Sequence, residues 1–558
     1  MKRLLCSITA LVLVSSSLTG CGAPKPKESA QSTTASTKTE VKPIEFSIFM
    51  DKAGKNFDSS ETPVGKKFKE KTGVSFKAEY AVGEKGQRLG LIIASGEYPD
   101  IIVSSPSTLI AADAIIPLDE YIEKYGPNIK KLYSEDVLKR AKWSKEHPNI
   151  YSFPTGQYKQ ERWEPNLSFA LQHAVVKELG YPKMNTVKDF ENAIKQYKDK
   201  YPSIDGKPTI GLSLSGDGTR FLITVTNPGF HVTGAPDDGD WYIDQKTLTA
   251  QLHITRPEEK EYFRWLNHMN NVGLLDSESF IQKNDQYQAK ISSGRVLGLI
   301  DAGWSYGGAE KALRQAGKDE KTYGRYCISL DTKYKNADFW PSLKTSAGTG
   351  VTITKKCKNP ERLVQFIDYL CSEEGQILKN WGIEGEHYKI ENGKRVIPED
   401  IKNQMLTDKE FGFRTGINIF QDFPTRSDGE KDSKGQNYTT KTKEEIIEGY
   451  SPIEKEVLSK YNAKMWMDLF PPASEFPVRK YGSGSNMQSF VAQDSNDKVL
   501  IQKCSEVVKK GIVRAVIASP DQFDAAWDSM LKELDSVGLK KLTENYNRVL
   551  KEMMEFWK

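Results

Sequence analysis

The pentapeptide Gly303-Trp304-Ser305-Tyr306-Gly307 is the one pattern in this 558-residue chain that could organise covalent chemistry. A G-x-S-x-G turn between a strand and a helix lifts a serine hydroxyl for acyl transfer, and the apolar run Val296–Ile300 just before it reads as a strand. Acyl transfer also needs an acid, a histidine and oxyanion donors. Of the six histidines only His387 follows Ser305, and no His-Gly-Gly-Gly loop occurs. A surface hydrolase built on Ser305 is therefore the lesser reading, and non-enzymatic work is expected. A glycine-flanked turn also suits a place where a ligand approaches the backbone.

Other chemistries are thinly supported. No GxxxxGK[ST] and no HExxH is present, which argues against a P-loop and that zinc-protease motif. Asp237-Asp238-Gly239-Asp240 could hold calcium, but the EF-hand spacing with its terminal glutamate is missing, so a solvated acidic turn is the favoured reading. No cofactor is expected. The 75 acidic residues give no way to single out a glycosidase pair. Cysteines stand at 6, 21, 327, 357, 371 and 504, without a CxxC, so neither a zinc knuckle nor a disulfide framework is expected. A bridge using Cys357 or Cys371 stays open.

One cysteine has a clearer role. Met1-Lys2-Arg3 leads into an apolar stretch from Leu4 to Val14, then Leu18-Thr19-Gly20-Cys21. A positive start, a short apolar core and small residues make an export signal, too short to span a bilayer stably. The ending is similar to the bacterial lipobox. That resemblance implies cleavage before Cys21 and diacylglyceryl lipid on its sulfur. Two or more acyl chains make a stable anchor where one does not. Residues 22–43 are rich in Pro, Ser, Thr and Lys. They read as a flexible tether with a span of roughly 25 Å.

The rest of the chain is long enough for several domains. The full chain is nearly charge-balanced, with 79 Lys and Arg against 75 Asp and Glu, so no nucleic acid partner is expected. Ile44–Met50, Val74–Tyr80, Pro99–Val103, Thr209–Leu214, Val296–Ile300 and Val351–Thr354 read as strands. Pro63–Thr72, Gln87–Ser95, Phe169–Leu179, Lys188–Tyr201 and Pro360–Cys371 read as helices. Thr186–Asp189 has the shape of a capping box, and Gly538 divides two C-terminal helical patterns. Strand–helix alternation argues for an α/β fold with parallel sheets.

Several stretches carry a family resemblance. They are FKEKTGVSFKAEY, IIASGEYPDIIV, Ile115–Leu132, NIYSFPTGQY, VKELGYPKMNTVKDF, SSGRVLGLIDAGW, Lys358–Gln376 and Trp381–Arg395. In this order behind a lipobox, the chain resembles the large carbohydrate-binding branch of ABC-importer solute-binding lipoproteins. It departs from the family's pattern at Gln172–Glu178. The resemblance implies a two-lobed, Venus-flytrap α/β fold with parallel-rich sheets flanked by helices, and extra C-terminal helices. Lobe 1 is expected to hold 44–160 and about 303–345. Lobe 2 is expected to hold about 161–302 and 346–558, with C-terminal helices packing on both. The crossing segments fall near Gln157–Pro165 and Ala302–Leu343.

The resemblance further implies a monomer on the outer face of the membrane of a Gram-positive cell. It would bind an oligosaccharide or other polar solute and deliver it to permease subunits. Sensing or adhesion without transport is the other non-enzymatic reading. Sugars offer C–H faces to aromatic rings and hydroxyls to planar polar groups. On that logic the candidate ligand contacts are Trp304, Tyr306, Trp163, Arg162, Asp217, Ser104, Ser105, Trp340, Trp381 and Glu384.

Overall fold

Two sheets, each fed by strands that read as apolar runs in the sequence, organise the protein. The computed structural model describes residues 42–558 apart from 84–85, 155, 158–161, 337–339, 344–348, 409, 418 and 493. The signal segment, Cys21 and nearly all of the tether lie outside the described residues, as do parts of both expected crossings.

The first sheet has six strands. In spatial order they are Phe57–Asp58, Val74–Tyr80, Ile44–Met50, Ile101–Ser104, Gly350–Ile353 and Phe153–Pro154. Ile44–Met50 pairs in parallel with both neighbours, and Gly350–Ile353 runs antiparallel to Ile101–Ser104. Phe46, Ile48 and Met50 point to a core shared with the helices Pro63–Thr72 and Pro360–Cys371, while Phe49 points to the opposite face. This is the period-2 alternation of a sheet covered on both sides.

The second sheet has four strands in the order Ile210–Ser213, Val296–Ala302, Leu167–Gln172 and Tyr323–Tyr326. Only its first pair is parallel, so the sheets are more mixed than strand–helix alternation implies. All seven residues of Val296–Ala302 are buried. One element differs in kind from expectation. Leu167–Gln172 is a strand and the helix begins only at His173, running to Glu178. A short apolar run buried on both faces fits either state by period alone.

Strand pairing also corrects the expected lobe composition. Tyr323–Tyr326 pairs with Leu167–Gln172, so residues 303–326 stay with the second sheet. Gly350–Ile353 and the helix Pro360–Cys371 pack with the first. The return to the first sheet therefore lies between Tyr326 and Gly350.

Local signals hold well. Thr186 and Asp189 form the capping box reciprocally, and Gly538 separates the helices Phe523–Val537 and Leu539–Phe556 with φ of 106°. The C-terminal helices pack on the second sheet's side through Trp241 stacked on Tyr546, with centroids 4.2 Å apart. They also reach Trp143, whose ring lies 4.8 Å from Phe490, itself against Trp557. No described helix is long and apolar enough to cross a membrane. Among the described residues, the cysteines at 327, 357, 371 and 504 form no disulfide.

Candidate functional site

The buried strand Val296–Ala302 runs directly into the helix Gly303–Gln315, which places Trp304 one residue into the helix at the strand's carboxyl end. There the indole is 67% exposed. Of the ten tryptophans, eight are buried and Trp340 is half-buried, so Trp304 alone offers an open ring face. Leaving so large an apolar surface in water forgoes about 1.5–3 kcal/mol of burial. A rigidly mounted ring of this kind is a ready stacking platform.

Ser305 is held differently from a nucleophile. Its Oγ donates to Asp301 Oδ2 at 2.7 Å and accepts from Arg220 Nη1. Asp301 is fully buried and also accepts from the Ala302 N–H at 2.7 Å and the Tyr287 hydroxyl at 3.1 Å. Burial pushes the Asp301 carboxyl above its ordinary range, against the pull of these donors and of Arg220. His387 lies elsewhere, accepting from the Ile383 N–H at 3.1 Å within the segment after Trp381. The Asp301–Ser305–Arg220 chain thus fixes an arginine at the carboxyl end of the second sheet.

A second polar chain lies beside it. Arg325 Nη1 reaches Glu164 Oε1 at 3.4 Å, and Lys441 Nζ reaches Glu164 Oε2 at 2.8 Å. Burial raises the Glu164 carboxyl, but Lys441 and Arg325 outweigh it and hold the group below the usual range. Gly303 is needed here, since a Cβ on it would lie 2.7 Å from Arg325 Nη2. Next to Glu164, Trp163 is buried, and Lys443 Nζ lies 5.8 Å from its ring centre. Arg162, Trp163 and Lys443 line one cavity together with residues 465–473.

The remaining predicted contacts divide. Tyr306 is fully buried against Tyr323, a core residue and not a platform, because it follows the sheet inward. Asp217 accepts from Lys283 Nζ at 3.1 Å and the Asn284 N–H at 3.2 Å, so it anchors the start of helix Asn284–Ser292. Ser104 ends its strand by donating to Asp51 Oδ2 at 2.9 Å, and Ser105 precedes the helix Pro106–Ala111. Trp340 stacks on Phe476 at 5.3 Å. Trp381 is buried with Tyr388 and Ile397 and donates to the Asn437 carbonyl at 3.1 Å, so it is core, while Glu384 is exposed nearby. The structure brings Arg162 and Trp163 together and sets Trp304 and Ser104 at strand ends. It does not bring Trp381, Glu384 or Tyr306 to them as open groups.

The acidic turn is also corrected. Asp238 is fully buried, not solvated. It accepts from Arg479, from the Tyr481 hydroxyl at 2.6 Å and from the Gly484 N–H at 3.0 Å. Asp237 accepts from Asn227 at 2.7 Å. Among the described residues no group of three His, Cys, Asp or Glu side chains is arranged to hold a metal.

Comparison with known proteins decides the family. A model of bacterial extracellular solute-binding proteins matches residues 64–381. The chain belongs to that family. The fructooligosaccharide ABC transporter substrate-binding protein FusA of Streptococcus pneumoniae serotype 4 is 25% identical over 42% of this chain and 45% of its own length. Lipoprotein LipO of Bacillus subtilis is 22% identical over 63% of this chain and 69% of its own. The match thus spans less than half of the first relative. Among solved structures, FusA in complex with kestose aligns with TM-score 0.64 and 16% identity over 91% of this chain and 99% of that one. Alginate-binding protein AlgQ2 without calcium ion aligns with TM-score 0.59 and 18% identity over 91% and 98%. These likenesses show the two-lobed fold.

For this solute-binding protein, sequence reasoning misses Arg220, Asp301, Glu164, Arg325, Lys441 and Lys443. Their partners are far apart in the chain, as with Glu164 and Lys441 or Trp163 and Lys443. One of them carries a usable signal. Asp301 closes an apolar strand just before the glycine-flanked turn, where an acid is conspicuous.

Proposed function

We propose that this protein is the substrate-capturing receptor of an importer, lipid-anchored through Cys21 on the outer face of the cell membrane. It takes an oligosaccharide between its two lobes, does no covalent chemistry on it and passes it to permease subunits as a monomer. The observation that carries this is the open indole of Trp304 at the carboxyl end of the second sheet's inner strand. Open α/β sheets receive ligands at such ends, and sugar faces stack on aromatic rings. Family membership and the two-lobed fold support the same reading. The likeness to FusA, a fructooligosaccharide-binding protein solved with kestose, supports a carbohydrate over a peptide. Ser305, tied between Asp301 and Arg220, supports binding over hydrolysis.

Calorimetry over an oligosaccharide panel tests it. At least one sugar should bind saturably at one site and be recovered intact. Absence of binding across the panel, or release of cleaved sugar, would overturn the reading.

A further inference from the structure

The loop that leaves the strand Ile210–Ser213 is fastened twice around Arg220. Ser215 and Thr224 exchange two hydrogen bonds: the Ser215 N–H donates to Thr224 Oγ1, and that hydroxyl donates to the Ser215 carbonyl, at 3.0 Å each. The Arg220 N–H closes a turn on the Asp217 carbonyl at 3.0 Å. Just beyond it, Leu222–Thr226 forms a π-helical turn, a rare geometry found often at functional sites. Ile210–Ser213 is the parallel neighbour of Val296–Ala302. This loop and Trp304 therefore leave the same end of the sheet, from strands about 4.8 Å apart.

Arg220 meets that end as a held donor. A hydrogen on Nη1 goes to Ser305 Oγ, whose own hydrogen goes to Asp301 Oδ2. Nη1 also lies 3.9 Å from that Asp301 oxygen, so the guanidinium charge is answered within the protein. Among the described residues the Arg220 side chain has these two partners alone, and it is 19% exposed. The Nε and Nη2 hydrogens therefore remain for a ligand. A guanidinium presents them in one plane, as a fork for two neighbouring oxygens. With its charge already answered, the fork suits uncharged oxygens. The open Trp304 indole, next to Ser305 in the chain, gives a sugar ring its apolar face.

We infer that Arg220 is a specificity-determining residue of the ligand site: its fork reads two adjacent hydroxyl oxygens of a neutral sugar ring stacked on Trp304, and Ser305 and Asp301 are the residues that position it. The inference rests on the sugar-receptor reading above. Asp301 orients the Ser305 hydroxyl by taking its hydrogen, which turns the oxygen lone pairs to Arg220 and fixes the plane of the fork before a ligand arrives. Such preorganisation lowers the cost of ordering the arginine on binding.

The test is calorimetry on the whole chain with kestose, maltotriose, xylotriose and mannotriose, followed by the monodeoxy derivatives of whichever binds tightest. Removing either hydroxyl of the pair should weaken binding to the wild type about tenfold, the scale of one hydrogen bond to a charged group. Arg220→Gln should bind the intact sugar about ten- to a hundredfold more weakly and no longer distinguish it from those two derivatives. Arg220→Lys keeps the charge and loses the fork, so it should not restore the distinction. Ser305→Ala should weaken binding about tenfold. The double variant should bind no worse than Arg220→Gln alone, because Ser305 acts through Arg220. Arg220 reaches solvent, so its variants read out binding even if Ser305→Ala folds poorly. Unchanged affinity in Arg220→Gln, or discrimination among deoxy sugars that survives it, overturns the inference and leaves the sugar-receptor reading intact. Additive losses in the double variant overturn the positioning role of Ser305. Failure of every sugar to bind the wild type removes both readings.

Discussion

Two tryptophans separate what residue type suggests from what position decides. Trp304 and Trp381 both stand out in the sequence as candidate sugar contacts. The structure exposes the first and buries the second among Tyr388, Ile397 and the Arg395 guanidinium, 5.1 Å from its ring. Trp304→Ala should leave stability within about 0.5 kcal/mol and weaken sugar binding about ten- to a hundredfold, as loss of an interface anchor does. Trp381→Ala should cost about 3–5 kcal/mol of stability and leave the affinity of the folded protein unchanged. Thermal melts and calorimetry on the two variants check this. The reverse pattern would mean that the binding surface lies around Trp381.

At the scale of elements, the helix Glu373–Trp381 holds the chain near the first crossing. Lys379 is buried and its Nζ lies 3.3 Å from the carbonyls of both Phe423 and Pro424. Gln376 also donates to the Pro424 carbonyl, at 3.1 Å. The short strand Pro424–Thr425 in turn pairs in parallel with Gly156–Gln157. Burial lowers the Lys379 ammonium to about 7, opposed by Cys371 and Asp422. A depressed lysine means the unfolded chain binds the extra proton between about 7 and its ordinary 10.5. Stability from this group therefore rises with pH across that window and is lost as pH falls towards 7. Each tenfold difference in proton affinity between the folded and unfolded chain is worth about 1.4 kcal/mol. Melting temperature should climb more steeply from pH 7 to 10 in the wild type than in Lys379→Met. Parallel curves would contradict the assignment.

Elements of this kind are largely legible in the sequence, and sites are not. Strand Ile44–Met50 and helices Pro63–Thr72, Gln87–Ser95 and Pro360–Cys371 have the expected bounds, because apolar period, proline starts and glycine stops act locally. Phe169–Gln172 reads as the start of a helix although it belongs to the strand Leu167–Gln172, because burial on both faces erases the period. The membership of residues 303–326 in the second sheet depends on pairing across more than 150 positions, as between Tyr326 and Phe169, and no local pattern encodes that. The same holds for Asp238, whose partners Arg479, Tyr481 and Gly484 lie some 240 residues on.

For the whole molecule, the anchor and the two lobes make one proposal. On that proposal, a flexible tether of the kind residues 22–43 read as would keep the receptor near its permease at high effective concentration. Cys21→Ala should move the protein from the membrane fraction to the medium without changing its affinity for sugar, which fractionation and calorimetry would show. Retention on the membrane would mean that something other than lipid on Cys21 holds it. Capture itself requires that the ligand bind the closed arrangement of lobes better than the open one. Small-angle scattering of the chain, with and without the tightest-binding oligosaccharide from the panel, tests this most directly. Receptor action predicts a smaller radius of gyration in the saturated sample and no change in the Trp304→Ala variant at the same sugar concentration. A wild-type profile unaltered at saturation would contradict it.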